Sequence, residues 1–229
     1  MRSEVNAPQN RAPRREPPPI HPDVLRLGIV SLLTDVSSEM IFSVFAVCFT
    51  LVAGGSAVAL GAVEGLADLA SCSLDYVSGW RSDRTGRRKS LALLGYGFST
   101  VAKSILLLAL SVPLLGAFRI IERLGKSLRG PPRDAWLADV AERSVRGYSF
   151  GIHKALDKSG AVLGPLLAYG VLLQLGGGLA AYGALFKLAL LPAIVAVILL
   201  ARMPARCGTP QPRQSFLESW RTLGPRRAI

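Results

Sequence analysis

Two long apolar runs, residues 57–78 and 90–111, are joined by eleven residues holding five cations, Gly79-Trp80-Arg81-Ser82-Asp83-Arg84-Thr85-Gly86-Arg87-Arg88-Lys89. Cationic side chains at that density are excluded from hydrocarbon, so the stretch is expected to be a short loop in water. The runs on either side then enter the bilayer from one face, and the excess of Lys and Arg makes that face cytoplasmic. With this loop fixed, the direction of every other apolar run follows by alternation.

Half of the 229 residues are hydrophobic and 18% are charged, and the mean hydropathy is +0.38. A soluble domain carries about a quarter charged residues. A spanning helix needs about 20 apolar residues, and the chain has room for six, at about 24–52, 57–78, 90–111, 114–140, 150–173 and 180–201. The turns near 53–56, 111–113 and 174–179 contain no Lys or Arg. The expected fold is therefore an all-α membrane protein of six transmembrane helices with both termini cytoplasmic. The net charge of +12 does not imply a nucleic-acid partner, because the basic residues fall in the gaps between apolar runs. Residues 1–23, with four arginines and six prolines, read as a disordered basic arm. In the tail, 202–229, Phe216, Leu217, Trp220 and Leu223 share a helical face suited to lying on the membrane surface. Cys48, Cys72 and Cys207 have no metal-binding spacing, and no metal or cofactor is expected.

Charges inside the apolar runs are costly and are expected to face a partner or a watery cavity. Asp35 and Glu39, at i and i+4, share one face of the first helix. Glu64, Asp68 and Asp75 align on the second, Asp75 close enough to the cytoplasm to reach the loop arginines. Lys103 is the single interior charge of the third, and Lys187 lies in the sixth. The fourth run holds Arg119, Glu122, Arg123, Lys126, Arg129, Arg133 and Asp134, all within an arc of about 140°. That stripe is expected to line a polar cavity, and Pro131-Pro132 to kink or break the helix near its inner end. In the fifth, His153 and Asp157 lie near the inner end, His153 as an interfacial residue, and Gly160 and Gly164 with Pro165 form a small-residue seam for close packing.

These features together resemble the N-terminal half of a major facilitator superfamily transporter. Gly79, Asp83, Arg84, Gly86, Arg87, Arg88 and Lys89 fill the pattern of that family's loop between helices two and three. Arg119, with Gly125 six residues on, resembles its fourth-helix arginine motif, although Glu122 stands where Gln is usual and Arg123 where Gly is usual. Gly160, Gly164 and Pro165 resemble its fifth-helix glycine–proline motif, and Leu33–Met40 with Pro132-Arg133-Asp134-Ala135 looks like a prokaryotic branch of poorly defined substrate. The resemblance implies a bundle of the major-facilitator type, a multi-pass place in the inner membrane and a conformational-gating role for loop 79–89. It also implies a second bundle, since such transporters have twelve spans and bind solute between two halves; this sequence stops at Ile229, where the link to a seventh span is expected.

The function expected is secondary active transport of a small anionic solute by alternating access, coupled to protons or cations. Asp35, Glu39 and Glu64 are the candidate coupling carboxylates, and Arg119, Glu122, Arg123 and Lys126 the candidate cavity residues. Burial favours the protonated form of a carboxyl and a nearby guanidinium the ionised form, so a Glu39–Arg119 pair that forms and breaks would alter the hold on a proton. Two alternatives stand beside this. The bundle could need a second six-helix half, or a second copy, in order to transport. A six-span phosphoalcohol transferase would require converging aspartates for magnesium, a pattern that Asp68, Asp75 and Asp83 do not supply.

Overall fold

The computed structural model describes residues 20–176 and 178–205. Most of the basic arm (1–19), Cys207 and the interfacial helix expected around 216–223 lie outside the described residues. Six helices follow in order: α1 (Pro22–Val47), α2 (Ala57–Thr85), α3 (Arg88–Ile105), α4 (Val112–Val140), α5 (Arg146–Leu175) and α6 (Leu179–Arg202). There is no strand among the described residues.

The helix ends have local causes. At α1, His21 caps Asp23 N through Nδ1 at 3.2 Å with Pro22 at the first position, and the helix runs out through a π-helical turn, Cys48–Val52. Ser56 Oγ accepts from Ala59 N at 3.1 Å to start α2. Thr85 ends it, because Gly86 takes a left-handed φ of 63°, which costs nothing only without a Cβ. The expected eleven-residue loop is thus mostly helix, with Gly86 and Arg87 alone between α2 and α3. Positive charge had lowered the hydropathy of 79–85 without lowering its helix propensity. In the other direction, α3 stops at Ile105 although the apolar run continues to 110. Pro113 sits in the first turn of α4, and the chain reverses through 106–111 before it. α4 does not break at Pro131-Pro132 but continues to Val140.

Four of these helices are long and apolar enough to cross a membrane by length and composition: Pro22–Val52, Ala57–Thr85, the helix within Arg143–Leu175, and Leu179–Arg202. α3 and α4 are not. α3 has 18 residues and includes Arg88, Lys89 and Lys103, and α4 carries the charged stripe.

Packing follows a pattern. α1 lies against α5 and α6, α4 lies against α2 and α3, and α3 meets α6. Exchanging the first three helices for the last three leaves that pattern unchanged, which is the arrangement of an inverted repeat. Small residues occupy the seams, with Ala67, Ala92, Ala102, Ala168, Ala189 and Ala196 buried, as expected where close approach rather than water expulsion drives association. Two apolar cores fill the bundle. One contains Met40, Phe45, Phe49, Phe118 and Phe186; the other contains Val24, Leu27, Tyr96, Trp136 and Leu200.

Candidate functional site

A charged cleft separates α1 and α5 from α2 and α4. It comprises two connected spaces of about 370 and 320 Å³ that share Glu39, Arg123 and Lys126. The first is completed by Phe42, Phe45, Ala46, Leu60, Glu64 and Arg119. The second adds Asp35 and Asp75 with Arg129, Arg133, Lys154, Asp157 and Lys158. Helical spacing explains the set: Asp35, Glu39, Phe42 and Ala46 fall on one stripe of α1, and Leu60, Glu64, Ser71 and Asp75 on one stripe of α2. Along α4, Arg119, Arg123, Lys126 and Arg133 do the same.

Most of the arginines are already paired. Arg119 Nη2 donates to Glu64 Oε2 at 2.6 Å, and its guanidinium lies over the Phe42 ring, 4.4 Å from the centroid. The Arg119 partner expected from sequence, Glu39, is not the one it has here. Arg123 Nε donates to Asp68 Oδ1 at 2.8 Å. Arg133 reaches Asp134 at 3.0 Å and Asp157 at 3.5 Å, and Lys154 holds Asp157 at 3.2 Å. Arg129 donates to Ser99 Oγ and covers the Tyr96 ring. Asp35, Glu39, Lys126 and Lys158 make no hydrogen bond or ion pair among the described residues, although Asp35 shares the second space with Asp157, Lys126, Arg129 and Arg133. Asp75 lines the cleft and is not paired with the loop arginines. Among the described residues no three His, Cys, Asp or Glu gather as metal ligands.

The acid pair on α1 is backed by α5. A Cβ placed on Gly160 would lie 2.5 Å from Leu32 O and 3.1 Å from Asp35 Cβ. One on Gly164 would lie 2.7 Å from Glu39 Cβ and 2.9 Å from Val36 O. Only glycine lets the α5 backbone reach α1 at these two positions, and so the glycines set where both carboxylates stand. Pro165 remains inside α5.

Glu122 departs from the cavity expected for it. It is wholly buried, lines neither space, and accepts from Ser38 Oγ at 3.3 Å. On the same α4 face, Gly125 and Arg129 abut Gly95 and Ser99 of α3. The charged arc of α4 is wider than the cleft, and its Glu122 edge rolls into the α3 seam.

The motif between α2 and α3 divides its work. Gly79 approaches Pro131 on α4, and Arg88 pairs with Asp139 at 2.5 Å while donating to Ala135 O. Lys89 Nζ donates to Ala201 O at 2.8 Å and to Met203 O at the end of α6. Asp83, Arg84 and Arg87 are exposed, with Arg84 stacked 5.1 Å over Trp80.

One hub had no signal in the sequence. Ser31 Oγ lies 3.3 Å from Tyr96 Oη and 3.1 Å from His153 Nε2, and accepts from Arg133 Nη1 at 3.1 Å. It joins α1, α3, α4 and α5 behind Arg133, which lines the cleft. His153, 2% exposed, is thereby a buried bundle residue and not an interfacial one.

Comparisons with known proteins bear on the family and the fold. The profile of the Major Facilitator Superfamily matches residues 27–228. An uncharacterized MFS-type transporter of Methanocaldococcus jannaschii is 39% identical over 168 residues, covering 72% of this chain and 40% of that protein. The multidrug resistance protein MdtH of Proteus mirabilis is 27% identical over 170 residues, covering 71% and 42%. Among solved structures, a peptide transporter POT in complex with alafosfalin superposes with a TM-score of 0.68 at 18% identity, over 88% of this chain and 43% of that one. The chain thus spans about two fifths of the relatives it matches. On the extent of the profile match and the archaeal identity, the chain belongs to the Major Facilitator Superfamily, a family of membrane transporters and not of enzymes.

Proposed function

We propose that this bundle is the N-terminal six-helix half of a secondary transporter that moves a small anionic solute by alternating access, coupled to protons or cations. The observation that carries the reading is the cleft, where seven cations and five carboxylates from four helices face one continuous space. A low-dielectric cleft focuses such a field, and the excess of cations attracts an anion. Lys126 and Lys158 carry the charge left over for solute, because the arginines are occupied. Glu39 and Asp35, unpaired and half-buried, are the coupling carboxylates, and Glu64 answers to them through Arg119.

On this reading all six helices span, α3 and α4 being shielded by their neighbours, and both termini are cytoplasmic. Arg26, the motif cations, Arg143, Arg146 and Arg202 all stand at one end, and the opposite turns hold none, which supports that orientation in a prokaryotic inner membrane. The motif residues Gly79, Asp83, Arg84, Gly86, Arg87 and Arg88 then gate the cytoplasmic side, the exposed ones being available to a second half.

The test uses the bundle completed by a second half in proteoliposomes under an imposed pH gradient, with dye-reported proton flux on adding small carboxylates or phosphate. Glu39→Gln is expected to abolish solute-dependent proton flux while Gly170→Ala leaves it intact; unchanged flux in Glu39→Gln removes Glu39 from coupling. A second reading, a half-unit that works only against another bundle, is favoured by α2, of whose 29 residues only Ala67, Ser78 and Ser82 are buried.

A further inference from the structure

A second concave feature lies outside the cleft, between the start of α1 and the end of α6. It is a groove of about 280 Å³ lined by Arg26, Ile29, Leu199, Arg202 and Met203. The arginines stand one turn nearer the helix ends than Ile29 and Leu199, so the groove is cationic at its terminal end and apolar deeper along the helices. Arg26 gives Nη1 to Asp23 at 2.9 Å and keeps its other nitrogens. Arg202 makes no hydrogen bond or ion pair among the described residues. The carbonyls at the end of α6, which would repel an anion, are covered by Lys89. Among the described residues, Arg26 and Arg202 in the groove and Lys89 beside it outnumber the nearby carboxylate of Asp23.

We propose that this groove holds an anionic glycerophospholipid of the cytoplasmic leaflet, its phosphate between Arg26 and Arg202 and an acyl chain along Ile29 and Leu199. Guanidinium forks match phosphate oxygens, and basic pockets between helices at the cytoplasmic side recognise acidic headgroups. The apolar wall selects lipid over a soluble anion: Ile29 is 44% and Leu199 38% exposed, and Leu25, Val195 and Ile198 continue the same apolar surface. A free phosphate would gain nothing from those side chains. A choline lipid would supply the chain but bring its own cation against the arginines. The inference rests on membrane insertion and is independent of what crosses the cleft.

The experiment is native mass spectrometry of the full 229-residue chain in mild detergent, with phosphatidylglycerol or phosphatidylcholine added at equal concentration. Phosphatidylglycerol should be retained about tenfold more strongly, the equivalent of one good charge-assisted contact. R26Q/R202Q should remove that preference. R81Q/R143Q, with the same change in net charge at the same end, should keep it. Ile29→Trp, which fills the apolar wall but spares both arginines, should lower retention of both lipids, and millimolar inorganic phosphate should displace neither. Retained preference in R26Q/R202Q, equal loss in R81Q/R143Q, or displacement by phosphate each overturns the proposal.

Discussion

Lys103 and Glu122 are both wholly buried, and Lys103 Nζ and Glu122 Oε2 have no hydrogen-bond partner among the described residues. Their positions match across one seam: Ser99 meets Gly125, Lys103 lies one turn beyond Ser99, and Glu122 one turn before Gly125. No ion pair joins the two among the described residues, so they face each other across the seam without direct contact. Removing one of two opposite buried charges leaves the other uncompensated and is destabilising, whereas replacing both with apolar groups is near neutral. Lys103→Met and Glu122→Leu should therefore each lower thermal stability in detergent, and the double variant should regain most of the loss. Additive losses would show that the two charges are not compensating each other. Both residues stood out in the sequence, one as a lone interior charge and one as a departure from the family motif. A helical wheel gave Glu122 its angle but not its neighbour, because it does not reveal how much of an arc the next helix covers. Ser31 gave no signal at all, since a serine in an apolar helix looks the same whether it bonds its own backbone or joins three other helices.

At the scale of elements, the α1–α5 seam is the tightest fit that bears on function. A Cβ at Gly164 falls 2.7 Å from Glu39 Cβ, while one at Gly170 meets nothing within 4 Å. Gly164→Ala should cost about 1–3 kcal/mol as overpacking and push Glu39 out of register, and Gly170→Ala in the same helix should be close to silent. Thermal unfolding of the two purified variants checks this, and equal melting would mean that α1 gives way freely. The small-residue spacing of this seam was readable because glycine at i and i+4 in an apolar run has few other uses. The end of α2 was not, because charge density and helix termination are separate properties. Seven residues assigned to a loop are helical: Ser82 among them is buried, and just before them Ser78 Oγ donates to Ser127 O at 2.9 Å. What stops the helix is Gly86, and a glycine followed by arginines reads equally well as the middle of a loop.

At the scale of the whole molecule, the bundle presents large apolar faces that its own helices leave open. Leu66, Leu69, Tyr76 and Trp80 on α2 are 51–68% exposed, and Leu163, Leu166, Leu167 and Leu173 on α5 are 44–70% exposed. The inverted-repeat pairing makes α2 and α5 equivalent, so the two faces are one feature seen twice, a relation that no residue pattern announces because the halves share packing and not sequence. Lipid can cover these faces, because the cleft stripes of the same helices (Glu64, Ser71 and Asp75 on α2, Lys154, Asp157 and Lys158 on α5) point the other way, but lipid at the open mouth of the cleft between α2 and α5 would meet the charges that hydrocarbon excludes. A protein surface laid across that mouth, against the edges of α2 and α5, would close the cleft without that cost. Cys72 reports on this directly. It is exposed on α2, at the edge between the cleft stripe of Ser71 and Asp75 and the outward face of Leu69 and Tyr76, while Cys48 is buried. In a Cys207→Ser chain, labelling of Cys72 by a bilayer-permeant maleimide should slow as the protein-to-lipid ratio rises, in step with a doubled mass. A rate that stays constant while the chain remains a single copy would leave α2 facing lipid, and closure would then fall to a different half.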